Sequence, residues 1–237
     1  MLPQAGYTGR VQQEEGIAGR LVGGMIRRSV RKSFHSVYAR LPHTPLQGPV
    51  VWACNHTGWH DGYLMFHLVT RLGIPSLDWV AEFDAFPLFR KIGAMPFPPA
   101  EPHRRVATIR ETIRRMRAES CSLVQFADGI LRPEGDAWEV GEALDLILKK
   151  VPNVTVVPVA IVYRMGVHER PVAAIWTGEP MTPGAHLRGR THTAVEILAR
   201  EAHLFLRRPE QSHLLVRGTP DVNERWDFRA KFGKVGR

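Results

Sequence analysis

Between Glu14 and Leu41 apolar residues return every three or four positions, at Val22, Ile26, Val30, Phe34, Val37 and Leu41. At 100° per residue they share one arc about 120° wide. Arg20, Arg27, Arg28, Arg31, Lys32 and His35 fill the opposite arc. The spacing predicts an amphipathic helix over 14–41, preceded by a loose arm without period over 1–13. Such a helix packs its stripe on a protein core or lies in a membrane interface, and the pattern admits both. "PHTPLQGP" (42–49) ends it, because three prolines remove amide donors and fix φ. Beyond it the period switches repeatedly between strand and helix. "VVWAC", "LDWVAE", "CSLVQF", "VTVVPVAIVY" and "AAIWTG" read as strands. "DGYLMFHLVTRLG", "HRRVATIRETIRRMRAES", "WEVGEALDLILKK" and "THTAVEILAREAHLFLRR" read as helices, the first with Asp61 at its cap and Gly73 past its end. Alternation of this kind predicts an α/β fold with a mostly parallel mixed sheet flanked by helices. The expected organisation is an N-terminal arm and amphipathic helix over 1–41, one catalytic-sized domain over 42–210, and a basic tail over 211–237.

Length and charge narrow the partners. A chain of 237 residues suits one domain with a real core. Its 32 Lys plus Arg against 23 Asp plus Glu leave a net charge of +9, mostly from Arg, which favours an anionic partner: nucleic acid, an anionic membrane surface or a phosphorylated small molecule. No zinc-finger spacing, RNP-like segment or helix-turn-helix signature supports nucleic acid, and the aromatics sit in core-like runs. Cys54 and Cys121 both lie inside apolar runs, as reduced core residues of a cytosolic chain would. No secretory signal is evident. No apolar run approaches the roughly 20 residues that span a bilayer, so membrane contact is expected to be peripheral.

The candidate chemistry lies in "VWACNHTGWHDGYL" (51–64), where a buried strand gives way to a helix. Functional groups of open α/β sheets gather at such junctions. His56 has the makings of a general base, and Asp61 can reach back to its second ring nitrogen if the turn curls. That contact would fix the tautomer and raise the basicity of the free nitrogen. No G-x-S-x-G elbow occurs, and a strand-buried Cys54 does not sustain a thiolate, so a covalent acyl-enzyme is not expected. Two other readings stay open on these residues alone: a metal-dependent hydrolase using His56, His60 and Asp61, and two histidines that merely satisfy a turn.

Four ordered segments add a family resemblance. "NHTGWHD" is similar to the Asn-His-x4-Asp block of glycerolipid acyltransferases, typified by bacterial lysophosphatidic acid acyltransferases, and it matches at Asn55, His56 and Asp61. "WVAEFDAFPLFRKIGAMPF" resembles the second block through Gly93, but Pro98 and Pro99 stand where an acceptor-binding Arg is expected, with Arg104 and Arg105 the nearest candidates. "FADGILR" (126–132) resembles the third block, with Asp128 in place of a Glu, Gly129 matched and Arg132 one position late. "VVPVAI" (156–161) fits the Val-Pro strand of the fourth. The resemblance implies an O-acyltransferase that moves a fatty acyl group from acyl-CoA or acyl-carrier protein to a hydroxyl of a lipid acceptor. That acceptor would be 1-acyl-glycerol-3-phosphate or a related lysophospholipid or glycolipid. It further implies catalysis by His56 and Asp61, with Asn55, Arg104, Arg105, Asp128, Gly129 and Arg132 binding substrate. Neither a metal nor a cofactor is required, and amides near Gly129 or after His56 are candidate oxyanion donors. A cytoplasmic protein held peripherally on the inner face of the cell membrane, without a nucleic-acid partner, is the expected setting.

Overall fold

A computed structural model of the protein describes residues 16–46 and 48–227. The expected arm over 1–13 lies outside the described residues, as do the last ten positions of the tail. Eight strands form one sheet: β1 (Ser36–Arg40), β2 (Val50–Cys54), β3 (Ser76–Val80), β4 (Ala94–Pro96), β5 (Ser122–Phe126), β6 (Thr155–Arg164), β7 (Val172–Thr177) and β8 (Leu214–Arg217). Their spatial order is β4-β3-β5-β2-β6-β7-β1-β8. Neighbours from β4 across to β6 run parallel, as do β7 and β1, whereas β6–β7 and β1–β8 are antiparallel. The expected mostly parallel mixed sheet is therefore present.

Helices cover both faces: α1 (Gly16–Ser33), α2 (Asp61–Leu72), α3 (Pro102–Glu119), α4 (Ala143–Lys150), α5 (Leu187–Phe205) and the short α6 (Val222–Arg225). On one face Trp52, Val124, Val157 and Ile161 meet Leu64, Met65 and Leu68 of α2. On the other, Leu123 and Val156 meet Met116 of α3 and Leu144 and Ile147 of α4. Central strands buried on both faces explain why these segments read as unbroken apolar runs. α2 stops where Gly73 takes φ 69°, a left-handed cap that glycine adopts without Cβ strain.

The structure corrects three readings of the pattern. The N-terminal helix ends at Ser33, and Ser36–Arg40 is a strand paired with β7 and β8. Val37 and Ala39 face one layer of the core and Tyr38 the other, so this stretch is buried on both sides, which one helical stripe cannot achieve. Val22, Ile26 and Val30 do form the buried face of α1, with Val22 and Ile26 packed on Phe66 and Ile92. The basic tail supplies β8 at the sheet edge. The fourth helix begins at Ala143, not Trp138, because the Trp138 indole donates to Glu196 on α5 at 2.8 Å and the Gly141 amide to the Ala127 carbonyl at 3.0 Å. Two 3-10 turns, Phe83–Ala85 and Pro87–Ile92, bridge β3 and β4 and were not foreseen. Among the described residues no helix is long and apolar enough to cross a membrane.

Candidate active site

β2 delivers the chain to Asn55, whose side chain is spent on the backbone of β6. Its amide donates to the Ile161 carbonyl at 2.9 Å, and its oxygen accepts the Ile161 amide at 2.8 Å. Asn55 thus clamps the end of β2 to β6. The chain then curls through residues 56–60 and enters α2 at Asp61, which is completely buried. One carboxylate oxygen, Oδ2, accepts the His56 Nδ1 proton at 2.9 Å, the Thr57 amide at 2.9 Å and the Gly58 amide at 3.0 Å. The other, Oδ1, accepts the hydroxyl of Tyr163 at the end of β6. Four donors and the positive end of α2 hold this buried carboxylate, which would otherwise be costly to desolvate.

Glycine at position 58 is a steric requirement, since a Cβ there would run into the Tyr163 ring. Burial and the neighbouring Asp61 push the Tyr163 phenol far up, so it stays a donor throughout the physiological range. With Nδ1 committed to Asp61, the free Nε2 of His56 is the basic nitrogen. His56 packs its ring on Phe126 at 4.9 Å and lines a cavity of about 510 Å³. Met65, Phe66, Val69, Ile92 and Val124 are among its apolar walls. A base beside an apolar cavity of this size suits proton transfer on a substrate with a hydrocarbon part.

His60 takes no part in this cluster. Its ring meets Phe34, Trp59 and Tyr63 edge-on at 5.2–5.9 Å, and burial lowers its pKa. His56, His60 and Asp61 do not converge as ligands, whereas Asp61 is saturated by protein donors. Cys54 is buried in β2, and burial with Asp61 and Asp78 nearby raises its thiol well above the ordinary range, which rules out a ready nucleophile.

The other expected binding residues separate by what they touch. Arg104 is turned to Asp84, at 2.7 and 2.8 Å, and to Glu101. Arg105 instead stacks over Phe97 at 4.7 Å, Phe97 stacks on Trp79 at 4.4 Å, and all three line the cavity. Asp128 and Arg132 bind one another through two contacts of 2.6 Å, which pulls the Asp128 carboxyl below its usual range. The Arg132 amide donates to the His56 carbonyl at 3.0 Å, so this pair braces the turn that carries His56. Gly129 takes φ 84° and its amide donates to the Phe126 carbonyl. Of the amides near Gly129 or after His56 expected as oxyanion donors, those of Thr57, Gly58 and Gly129 are already engaged.

Two residues of the site were not anticipated. Tyr163 ends the apolar strand "VVPVAIVY" and gave no local sign of its bond to Asp61. Asp78 interrupts the apolar run "SLDWV" in β3, and a carboxyl inside a strand run was the one visible signal. It lines the cavity, its Oδ1 has no hydrogen-bond partner, and burial raises its pKa from 3.8 to about 7.

The mixed sheet thus sets a buried aspartate at the first residue of α2, bonded to a histidine that lines an apolar cavity. Among solved structures the chain is similar to the 1-acyl-sn-glycerophosphate (LPA) acyltransferase PlsC from Thermotoga maritima, with a TM-score of 0.57 and 17% identity over 81% of either chain. The sequence matches no family model and no curated protein. At that identity the likeness is one of fold.

Proposed function

We propose that the protein is an O-acyltransferase that moves an acyl group from a thioester, acyl-CoA or acyl-carrier protein, to a hydroxyl of a lipid acceptor. The acceptor is 1-acyl-glycerol-3-phosphate or a related lysophospholipid or glycolipid. The observation that carries this reading is the 2.9 Å bond between His56 Nδ1 and a fully saturated, buried Asp61, at the wall of an apolar cavity. The fold shared with an LPA acyltransferase supports it.

His56 Nε2 takes the proton of the acceptor hydroxyl as its oxygen attacks the thioester carbonyl. Asp61 stabilises the imidazolium that forms. When the tetrahedral intermediate collapses, the carbon–sulfur bond breaks and the imidazolium returns its proton to the departing thiolate. Atoms and charge balance without a metal or redox cofactor. Arg105 is the arginine that would meet an acceptor phosphate, because it lines the cavity and, among the described residues, no carboxylate holds it. A second reading, a basic nucleic-acid-binding module, gains nothing from a charge distribution in which Arg104, Arg114, Arg115 and Arg132 are paired with carboxylates.

The acceptor is drawn from a membrane surface. α1 leaves Ile17, Leu21 and Met25 exposed along one stripe, beside Arg20 and Arg28, and Trp59, Phe86 and Leu88 are exposed near the cavity. An apolar stripe flanked by arginines suits peripheral attachment to anionic lipid, consistent with the inner face of the cell membrane. Incubation with labelled acyl-CoA and acyl-carrier protein and a panel of lysophospholipids and glycolipids tests the proposal. Wild-type protein should release thiol and form a mass-resolved acylated product, and His56→Ala should do neither while keeping its fold. Undiminished turnover in that variant overturns it.

A further inference from the structure

Four potential ligand side chains, none of them part of the His56–Asp61 pair, meet where β6 ends, β7 and β1 begin and β8 ends. His35 follows α1, His168 lies in the β6–β7 connection, and Asp221 and Glu224 belong to the segment after β8. One ligand atom from each can be chosen so that all lie within 4.8 Å of one another. His35 Nε2 is 2.9 Å from Glu224 Oε2, and His168 Nδ1 is 2.7 Å from Asp221 Oδ2. The two imidazoles lie face to face, with centroids 3.5 Å apart and planes 8° from parallel.

We propose that His35, His168, Asp221 and Glu224 bind a divalent cation of the zinc class. Two imidazole nitrogens and two carboxylate oxygens form a borderline donor set of four, the number zinc takes in structural sites. The ligands come from three distant parts of the chain, so their convergence is a product of folding.

The surroundings of the four residues fit ligation. Ser36 Oγ lies 3.0 Å from His35 Nδ1. When Nε2–H donates to Glu224, that hydroxyl donates to Nδ1; with a metal on Nε2 the proton sits on Nδ1 and the same hydroxyl accepts it. Either tautomer is satisfied, which is the role of an outer partner of a ligating histidine. The Glu169 amide holds Asp221 Oδ1 at 3.0 Å, and the Asp221 amide holds Glu224 Oε2 at 2.8 Å. Bonds of about 2.0 Å to a central ion are reached by splaying the two rings from their stack.

The ion would fasten the α1–β1 junction to the C-terminal segment. The two already touch: the Gly218 amide donates to the His35 carbonyl at 2.9 Å and the Thr219 amide to the Phe34 carbonyl at 3.0 Å. A Cβ at position 218 would collide with the Phe34 carbonyl, so the crossing is as close as two backbones come. Phe34 in turn stacks on Tyr163 at 5.8 Å, one residue from the proposed ligand.

Metal analysis of chelator-stripped protein dialysed against Zn²⁺ tests the site without an activity assay. One zinc per chain is expected, with a rise in Tm of roughly 5–10 °C when zinc stands a hundredfold above its Kd. The His35→Ala/His168→Ala double variant should take up no zinc and show no shift, whereas His56→Ala should keep both. Because the double variant also loses packing, Glu224→Gln, an exposed change, serves as the second test: it should weaken zinc binding at least tenfold and alter the visible spectrum of the Co²⁺ form. Absence of uptake by folded wild-type protein overturns the proposal and leaves two histidine–carboxylate ion pairs. So does zinc lost in His56→Ala but retained in the double variant.

Discussion

The hydroxyl of Tyr163 donates to the Oδ1 of Asp61, across 102 positions of sequence. Oδ2 is reserved for His56, Thr57 and Gly58, so among the described residues Tyr163 is the side chain that fixes the second carboxylate oxygen. Tyr163→Phe leaves that oxygen buried without a donor, at a cost of about 1–3 kcal/mol of stability. The expected kinetic effect is a fall in kcat of roughly tenfold with KM little changed, since the carboxylate is freed to rotate away from the imidazole. Steady-state kinetics beside a urea melt checks both, and an unaltered kcat removes Tyr163 from the catalytic machinery.

Asp78 gives the protein a stability that depends on pH. Its folded pKa, about 7, stands above the ordinary 3.8 because burial penalises the anion. Below pH 4 folded and unfolded chains both hold the proton and the group contributes nothing. Between pH 4 and 7 the unfolded chain loses its proton first, so stability declines with rising pH by at most on the order of 4 kcal/mol, then levels off. Asp78→Asn should flatten that part of the curve and make the variant the more stable of the two at pH 8. Denaturant melts at pH 5, 6.5 and 8 read the difference, and parallel curves would place the carboxyl in a hydrated setting.

Arg104 and Arg105 are adjacent in sequence and differ in what they touch. Arg105→Ala should raise KM for a phosphate-bearing acceptor at least tenfold, the loss expected of a charge-assisted contact, and leave a neutral glycolipid acceptor nearly unaffected. Arg104→Ala, which releases the exposed Asp84, should change neither. Equal effects of the two variants on both acceptors would make this arginine pair an unspecific positive face.

Membrane attachment is tested by substitution on α1, because removing residues 1–41 would also take β1 out of the sheet. Leu21→Asp/Met25→Asp should lower co-sedimentation with anionic liposomes several-fold while turnover of a water-soluble short-chain acyl donor is kept. Raising the salt should weaken the wild-type interaction, since screening acts on the arginine contribution. Unchanged sedimentation of the double variant rejects α1 as the contact.

The parts of the site that could be read from sequence are those confined to a few consecutive positions. His56 and Asp61 are five residues apart across a turn, and the strand before and the helix after them have clear periods. Tyr163 and Asp78 enter through strand pairing, which no local pattern encodes. The extended helix reading of 34–41 failed for a related reason: Phe34, Val37 and Leu41 continue a helical spacing by coincidence, and pairing with β7 and β8 decides the outcome. Of the arginines singled out by the resemblance, Arg104 and Arg132 are held by carboxylates nearby, information that lies in side-chain geometry and not in residue type.

The position of β1 sets an order of events during synthesis. This strand leaves the ribosome early, yet its partners on either side are residues 172–177 and 214–217. Until Val172–Thr177 has emerged, β1 can pair with neither, and the side chains of Val37, Tyr38 and Ala39 stay uncovered. Contacts of such long sequence separation close slowly, so the β7-β1-β8 edge is the last part of the sheet to be completed.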